Sequence, residues 1–177
     1  MSHLVAIKTE LRDLAAIKAA CVRLGWTFAE NQKTYAWHSR WVDDSPVPRH
    51  LFAEDEAGEK RYQEVVAMTL AERTEVMHQL LGKCDHAIKI PGCTGEVGLI
   101  RRGGNYIPIW DFAGGVGNAM CSDKAEWGWE AQDGGPLLQA YGIEKSKLEA
   151  KRQGYGVSEV KADDGSVKLQ IRVGGSW

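Results

Sequence analysis

Three groups of residues have types and spacing suited to chemistry. Cys84 and His86 alternate, so on an extended strand they face one side, and Cys93 follows a Pro91-Gly92 bend that can return it to them. Two thiolates and an imidazole are zinc ligands, with Cys121 or His78 available as a fourth. The spacing matches no standard zinc knuckle, and a buried thiol beside a surface histidine accounts for the same residues. Arg101-Arg102-Gly103-Gly104-Asn105 suits a phosphate or carboxylate, because glycines let an anion reach backbone N–H groups and arginine is a planar, two-pronged donor. The same five residues also spell a plain hairpin tip, whose two arginines point to opposite faces. The third group is aromatic and cationic: Trp37, Arg40, Trp41, Trp110, Trp127 and Trp129, with Asp111 beside Trp110. Seven tryptophans in 177 residues are enough to put some at a surface, where tryptophan and arginine anchor interfaces. Core packing is the competing account, and it is preferred for Trp26 and Trp37.

Other chemistries lack their patterns. Gly114-Gly115-Val116-Gly117-Asn118 is followed by no Lys-Ser/Thr pair and lacks the GxGxxG spacing, so it reads as a flexible loop. No GxSxG elbow and no HExxH helix occurs. Asp43-Asp44 reads as a solvated loop beside Pro46 and Pro48, and no cofactor-binding pattern is present.

Composition narrows the classes further. The formal net charge is −2, from 22 basic and 24 acidic side chains. A nucleic-acid partner is therefore not indicated, since phosphate neutralisation requires a basic excess. The four cysteines form no CxxC pair and read as free thiols in a reducing compartment. Met1 to Val5 lacks a basic segment before an apolar run, and no stretch approaches the ~18 apolar residues of a membrane span. The expectation is a cytoplasmic chain with no membrane association.

Regular elements must position these residues. Leu4 to Leu11 alternates with period two and reads as a strand. Asp13 is a helix N-cap, Leu14, Ile17, Cys21 and Leu24 form one stripe, and Gly25 suits the left-handed end. Trp26 to Trp41 reads as mostly extended. Gly58 to Met68 is helical, and Thr69 to Glu72 has capping-box spacing before a second helix that ends near Gly82 and carries Leu70, Arg73, Met77 and Leu81 along one side. Cys84 to Ile90 is a strand. Glu96 to Arg102 and Tyr106 to Phe112 form a hairpin, in which Pro108 demands an edge or a bulge. Pro136 opens the last helix, whose stripe is Leu137, Leu138, Tyr141 and Leu148. Val157 to Lys161 and Val167 to Val173 flank Asp163-Asp164-Gly165, with Val167, Leu169, Ile171 and Val173 on a buried face.

These elements predict a single α+β domain over residues 1–177, with a mainly antiparallel sheet and helices on one face. The two strand–helix–strand units suit a ferredoxin-like core. Ile7, Leu14, Ile17, Leu24, Leu169 and Ile171 are expected to meet inside it.

Several stretches resemble a known family. They are Met1-Ser2-His3 with Ile7, Thr9 and Asp13; Tyr35-Ala36-Trp37-His38-Ser39-Arg40-Trp41; and Leu81-Gly82-Lys83-Cys84-Asp85-His86-Ala87-Ile88-Lys89-Ile90-Pro91-Gly92, the most specific. Glu96 to Arg102, Trp110-Asp111 and Tyr141 to Tyr155 with the closing hairpin complete the set. Together they resemble a family of unknown function that includes a hypothetical chloroplast reading frame of algal plastids and cyanobacteria, with bacterial and phage members. The resemblance covers the chain except residues 47–78, which look like an insertion. Where this chain has His38 and Ser39, the family more often carries Tyr and Gly. The resemblance supplies no catalytic residue. It implies an accessory role, with genes often near one for an AAA-type ATPase. The expected function is a non-enzymatic accessory or protein-interaction domain. The alternative is a small-anion or nucleotide binder, in which Arg40, Arg101 or Arg102 clamps a phosphate and Trp110 stacks a base.

Overall fold

In a computed structural model of the chain, residues 4–6, 11–37, 47–121, 134–161 and 167–172 are described. The first helix, α1 (Leu14–Leu24), begins where the Asp13 carboxylate accepts hydrogen bonds from the backbone N–H groups of Ala15 and Ala16, at 2.9 and 3.2 Å. Those donors have no intrahelical partner of their own. Gly25 ends the helix at φ 70°, a left-handed conformation cheap only for glycine. Both ends fall where the sequence places them.

Five short strands form one antiparallel sheet. They are β1 (Leu4–Ala6), β2 (Thr27–Ala29), β3 (His86–Lys89), β4 (Glu96–Arg102) and β5 (Asn105–Asp111), in spatial order β1-β5-β4-β3-β2. The β4–β5 hairpin turns on Gly103-Gly104, with Arg102 opposite Asn105. Pro108 sits within β5 opposite Leu99. On its other side the described pairs are Ala6–Ile109 and Leu11–Tyr106, five residues on one strand against three on the other, the mismatch of a bulge of the kind that Pro108 requires.

Residues of the hairpin alternate between two interiors. On one face Ile88, Val97, Leu99, Tyr106 and Trp110 pack with Ile17, Ala20 and Cys21 of α1 and with Leu137, Ala140 and Tyr141 of α5 (Gly135–Arg152). The Tyr141 hydroxyl accepts from the N–H groups of Arg12 and Asp13, at 3.0 and 3.2 Å, fixing α5 to the entry of α1. On the other face Ala87, Ile100 and Ile109 pack with Tyr35, Leu51, Phe52, Val65, Met77 and Leu81. Helices α2 (Glu56–Val66) and α3 (Leu70–Leu80) and the 3₁₀ turn Arg49–Leu51 supply much of that cover. The sequence puts helices on one face; residues 47–78 bring helices to the second face as well. At the start of α3 the Glu72 carboxylate accepts from both the N–H and the hydroxyl of Thr69, at 3.0 and 2.6 Å.

Four expectations change. Among the described residues, strands β6 (Gly156–Lys161) and β7 (Val167–Arg172) pair with each other, in a separate ribbon. The second crossover leads to this ribbon rather than to a described ladder with the main sheet. Of the six residues expected to meet inside, Ile17 is fully buried, Leu14 and Leu24 pack at the core margin and Leu169 is half-buried. Ile171 is 47% exposed because the ribbon is too narrow to be covered by the helices, and Ile7 lies outside the described residues. Leu70, expected on the buried stripe of α3, is 45% exposed at its first turn. The Gly114–Asn118 loop contains a short helix, α4 (Val116–Ala119), which brings Val116 and Met120 into the first core. Among the described residues no helix is long and apolar enough to cross a membrane.

Gly98 faces the Tyr35 ring so closely that any Cβ there would overlap it. Gly98→Ala is expected to lower the unfolding free energy by about 1–3 kcal/mol, the usual cost of overpacking. Urea denaturation measures it, and a smaller ring-free residue at position 35 should recover part of the loss specific to Gly98→Ala.

Candidate functional site

The predicted site residues are distributed through the molecule. Trp110 is fully buried in the first core, and its indole N–H meets no acceptor among the described residues. It cannot stack a ligand from there, so the expected Trp110–arginine cleft is not formed. Position 110 follows Ile109 on β5 and turns to the opposite side of the sheet, toward α1 and α5. Asp111 is 1% exposed, and its carboxylate accepts from the Ala113 N–H at 3.0 Å, stabilising the turn after β5. Trp37 is half-buried against Gly82, with its ring edge-on to His78 at 6.0 Å between centroids. Arg40, Trp41, Trp127 and Trp129 lie outside the described residues.

Arg101 and Arg102 part company as alternation requires. Arg101 is exposed, and its backbone N–H donates to Asp85 at 2.7 Å. The Arg102 guanidinium donates to the carbonyls of Phe52, Leu51 and Arg101, at 3.2, 3.0 and 2.9 Å. It thereby closes the end of the 3₁₀ turn and ties Leu51 and Phe52 to β4. Arg102 also lines a groove of about 250 Å³ with Leu51, Leu80, Lys83, Cys84, Asp85 and Ile100. Lys83 and Asp85 had drawn no reading of their own; their signal was membership of the Leu81–Gly92 stretch.

The metal candidates also separate. Cys84 belongs to the second core, and its thiol donates to the Gln32 carbonyl at 3.2 Å. Burial, reinforced by Asp85 and Glu96, pushes that thiol up to about 11, so it is protonated at neutral pH and a poor nucleophile. His86 lies on the opposite face, its Nδ1 accepting from the Asn31 N–H at 3.0 Å. Its ring sits between Phe28 and Tyr106, with centroids 5.3 and 5.5 Å away. Cys93 is half-buried at the margin of the first core, where burial raises its pKa. The strand begins only at His86, so Cys84 does not share the His86 face. Among the described residues no group of three or more His, Cys, Asp or Glu side chains could hold a metal ion.

A larger groove, about 500 Å³, lies on the helical side. Leu24 and Arg23 from the end of α1, Pro136, Gln139, Ala140 and Ile143 from the first half of α5, and Val167 from β7 form its walls. Five of these seven side chains are apolar. Sequence reading missed it, because its residues come from three elements, the first of which lies more than a hundred positions before the other two. Comparison with protein-family models, curated proteins and solved structures finds no match to this chain.

His86 gives the site region a pH signature. Desolvation holds its imidazole below the ordinary value, against the opposing pull of Asp85 and Glu30. The unfolded chain therefore takes up this proton first as pH falls. Stability from neutral His86 is complete above the unfolded pKa of about 6.5 and declines as pH drops below it, levelling under the folded value. His86→Phe should flatten the decline in urea midpoint between about pH 7.5 and pH 5 relative to the parent chain. An unchanged slope would show that His86 is not buried as a neutral ring.

Proposed function

We propose that this chain is a cytoplasmic, non-enzymatic accessory domain that binds a protein partner through the groove formed by α1, α5 and Val167. The observation that carries this reading is the groove itself: apolar walls contributed by α1, α5 and β7, with two polar side chains, Arg23 and Gln139, an arrangement suited to the apolar face of an amphipathic segment. The buried, protonated Cys84 thiol supports the non-enzymatic part of the reading. The resemblance carried by Tyr35–Trp41 and Leu81–Gly92 supports membership of the family of unknown function, and makes an AAA-type ATPase the first partner to test.

The test is titration of the purified chain with an AAA-type ATPase from its own host. Gln139→Arg and Val167→Arg place charge in the groove and should weaken binding by at least about tenfold. Val66→Arg, at a position exposed on α2 away from the groove, should leave it unchanged. Equal affinity in all three variants, or no binding by the parent chain, would overturn the reading.

The second reading is a small-anion or nucleotide binder, favoured by Lys83 and Arg102 lining the smaller groove. Asp85 lines it too and Arg102 already serves three carbonyls, which weakens its claim. A phosphate or nucleotide at about a hundred times its dissociation constant would add about 2.7 kcal/mol to stability. A thermal-shift panel reads this directly, with Lys83→Ala expected to abolish any shift from this site.

A further inference from the structure

The β6–β7 ribbon is attached to the body differently from every strand of the main sheet. Among the described residues it shares no ladder with that sheet, and neither core cluster contains one of its residues. None of its described side chains is fully buried. An isolated two-stranded hairpin is marginal in water, so something else must hold it.

Beside the half-buried Val157, Val167 and Leu169, part of that attachment is ionic. Glu159 of β6 reaches across to Arg23 of α1 and to Lys147 of α5, the latter at 2.6 Å, and a second Arg23–Glu159 contact lies at 3.1 Å. Glu144 of α5 completes a ring, taking Arg23 and Lys147 at 3.0 Å each. The four side chains are only 16–25% exposed, so solvent screens them less than an ordinary surface pair. Across the ribbon, Glu159 is opposite the uncharged Leu169, and the next residues of β6 on its face are Val157 and Lys161. Among the described residues these are the ribbon's ion pairs to the body. Arg23 and Lys147 together hold the Glu159 carboxyl down to about 2, so it is charged at neutral pH.

We propose that the Arg23–Glu159–Lys147–Glu144 ring is an electrostatic latch, and that the β6–β7 ribbon is a detachable element which this latch holds on the α1–α5 pair. Removing the Glu159 charge leaves two cations sharing Glu144 and removes the ribbon's grip on both helices. Release takes Val167 away from the groove wall without disturbing the two cores. The device stands whether or not a partner occupies that groove.

Hydrogen exchange with mass spectrometry on the full chain tests it. In Glu159→Gln, amides of residues 156–161 and 167–172 should lose at least about tenfold of their protection, while those of α1 and β4 change by less than about twofold. Raising sodium chloride from about 0.05 to about 0.5 M should shift the parent ribbon the same way and the variant ribbon little. Glu149→Gln, which removes a charge paired with Arg152 and hydrogen-bonded to Gln153 on the exposed end of α5, should leave the ribbon protected. Ribbon protection equal to that of the parent in Glu159→Gln, or ribbon and α1 losing protection together, would overturn the latch.

Discussion

Burial of the β4–β5 hairpin on both faces is the constraint from which the rest of the architecture follows. Val97, Leu99 and Trp110 go to one interior while Ile100 and Ile109 go to the other, and all five are buried. A sheet with two apolar faces needs two covering layers. The α1–α5 pair supplies one. Residues 47–78, with Tyr35 and Leu81, supply the other, so this segment is part of the interior. Close cover sets local rules: Gly98 leaves room for the Tyr35 ring, and Arg102 reaches out of β4 to satisfy carbonyls of the 3₁₀ turn that covers it.

This arrangement explains why residues with chemical potential perform structural work. A guanidinium that closes three carbonyls, a carboxylate that holds a turn and a thiol bonded to a backbone oxygen are polar groups meeting the demand that burial imposes. His86 is similar: Asn31, itself left-handed at φ 58°, donates to Nδ1, and two aromatic rings flank the imidazole. The larger groove and the Glu159 ion pairs lie together where α1 and α5 meet the β6–β7 ribbon.

What the sequence made legible were features with local causes. Asp13 and Gly25 bound α1, Thr69 and Glu72 open α3, Pro136 lies in the first turn of α5, and Gly103-Gly104 turns the hairpin, because each acts within a few residues of itself. The second covering layer was only partly legible. Val97-Gly98-Leu99-Ile100 is a continuous apolar run of the kind that two-sided burial produces, but short runs do not reveal which element supplies the second cover. Trp110 was misplaced because tryptophan suits both a core and a ligand platform, and strand alternation chose the core. The α1–α5–β7 groove and the Glu159 ring join residues remote in sequence, so no local pattern could announce them.

Two-sided burial is tested most directly by truncating one side chain on each face, Leu99→Ala and Ile109→Ala, and measuring both by urea denaturation. Each side chain is fully buried, so each truncation should cost about 2–5 kcal/mol with little change in denaturant slope. A full cost for Leu99→Ala beside less than about 0.5 kcal/mol for Ile109→Ala would mean that the second face is solvent-exposed, and would contradict the account.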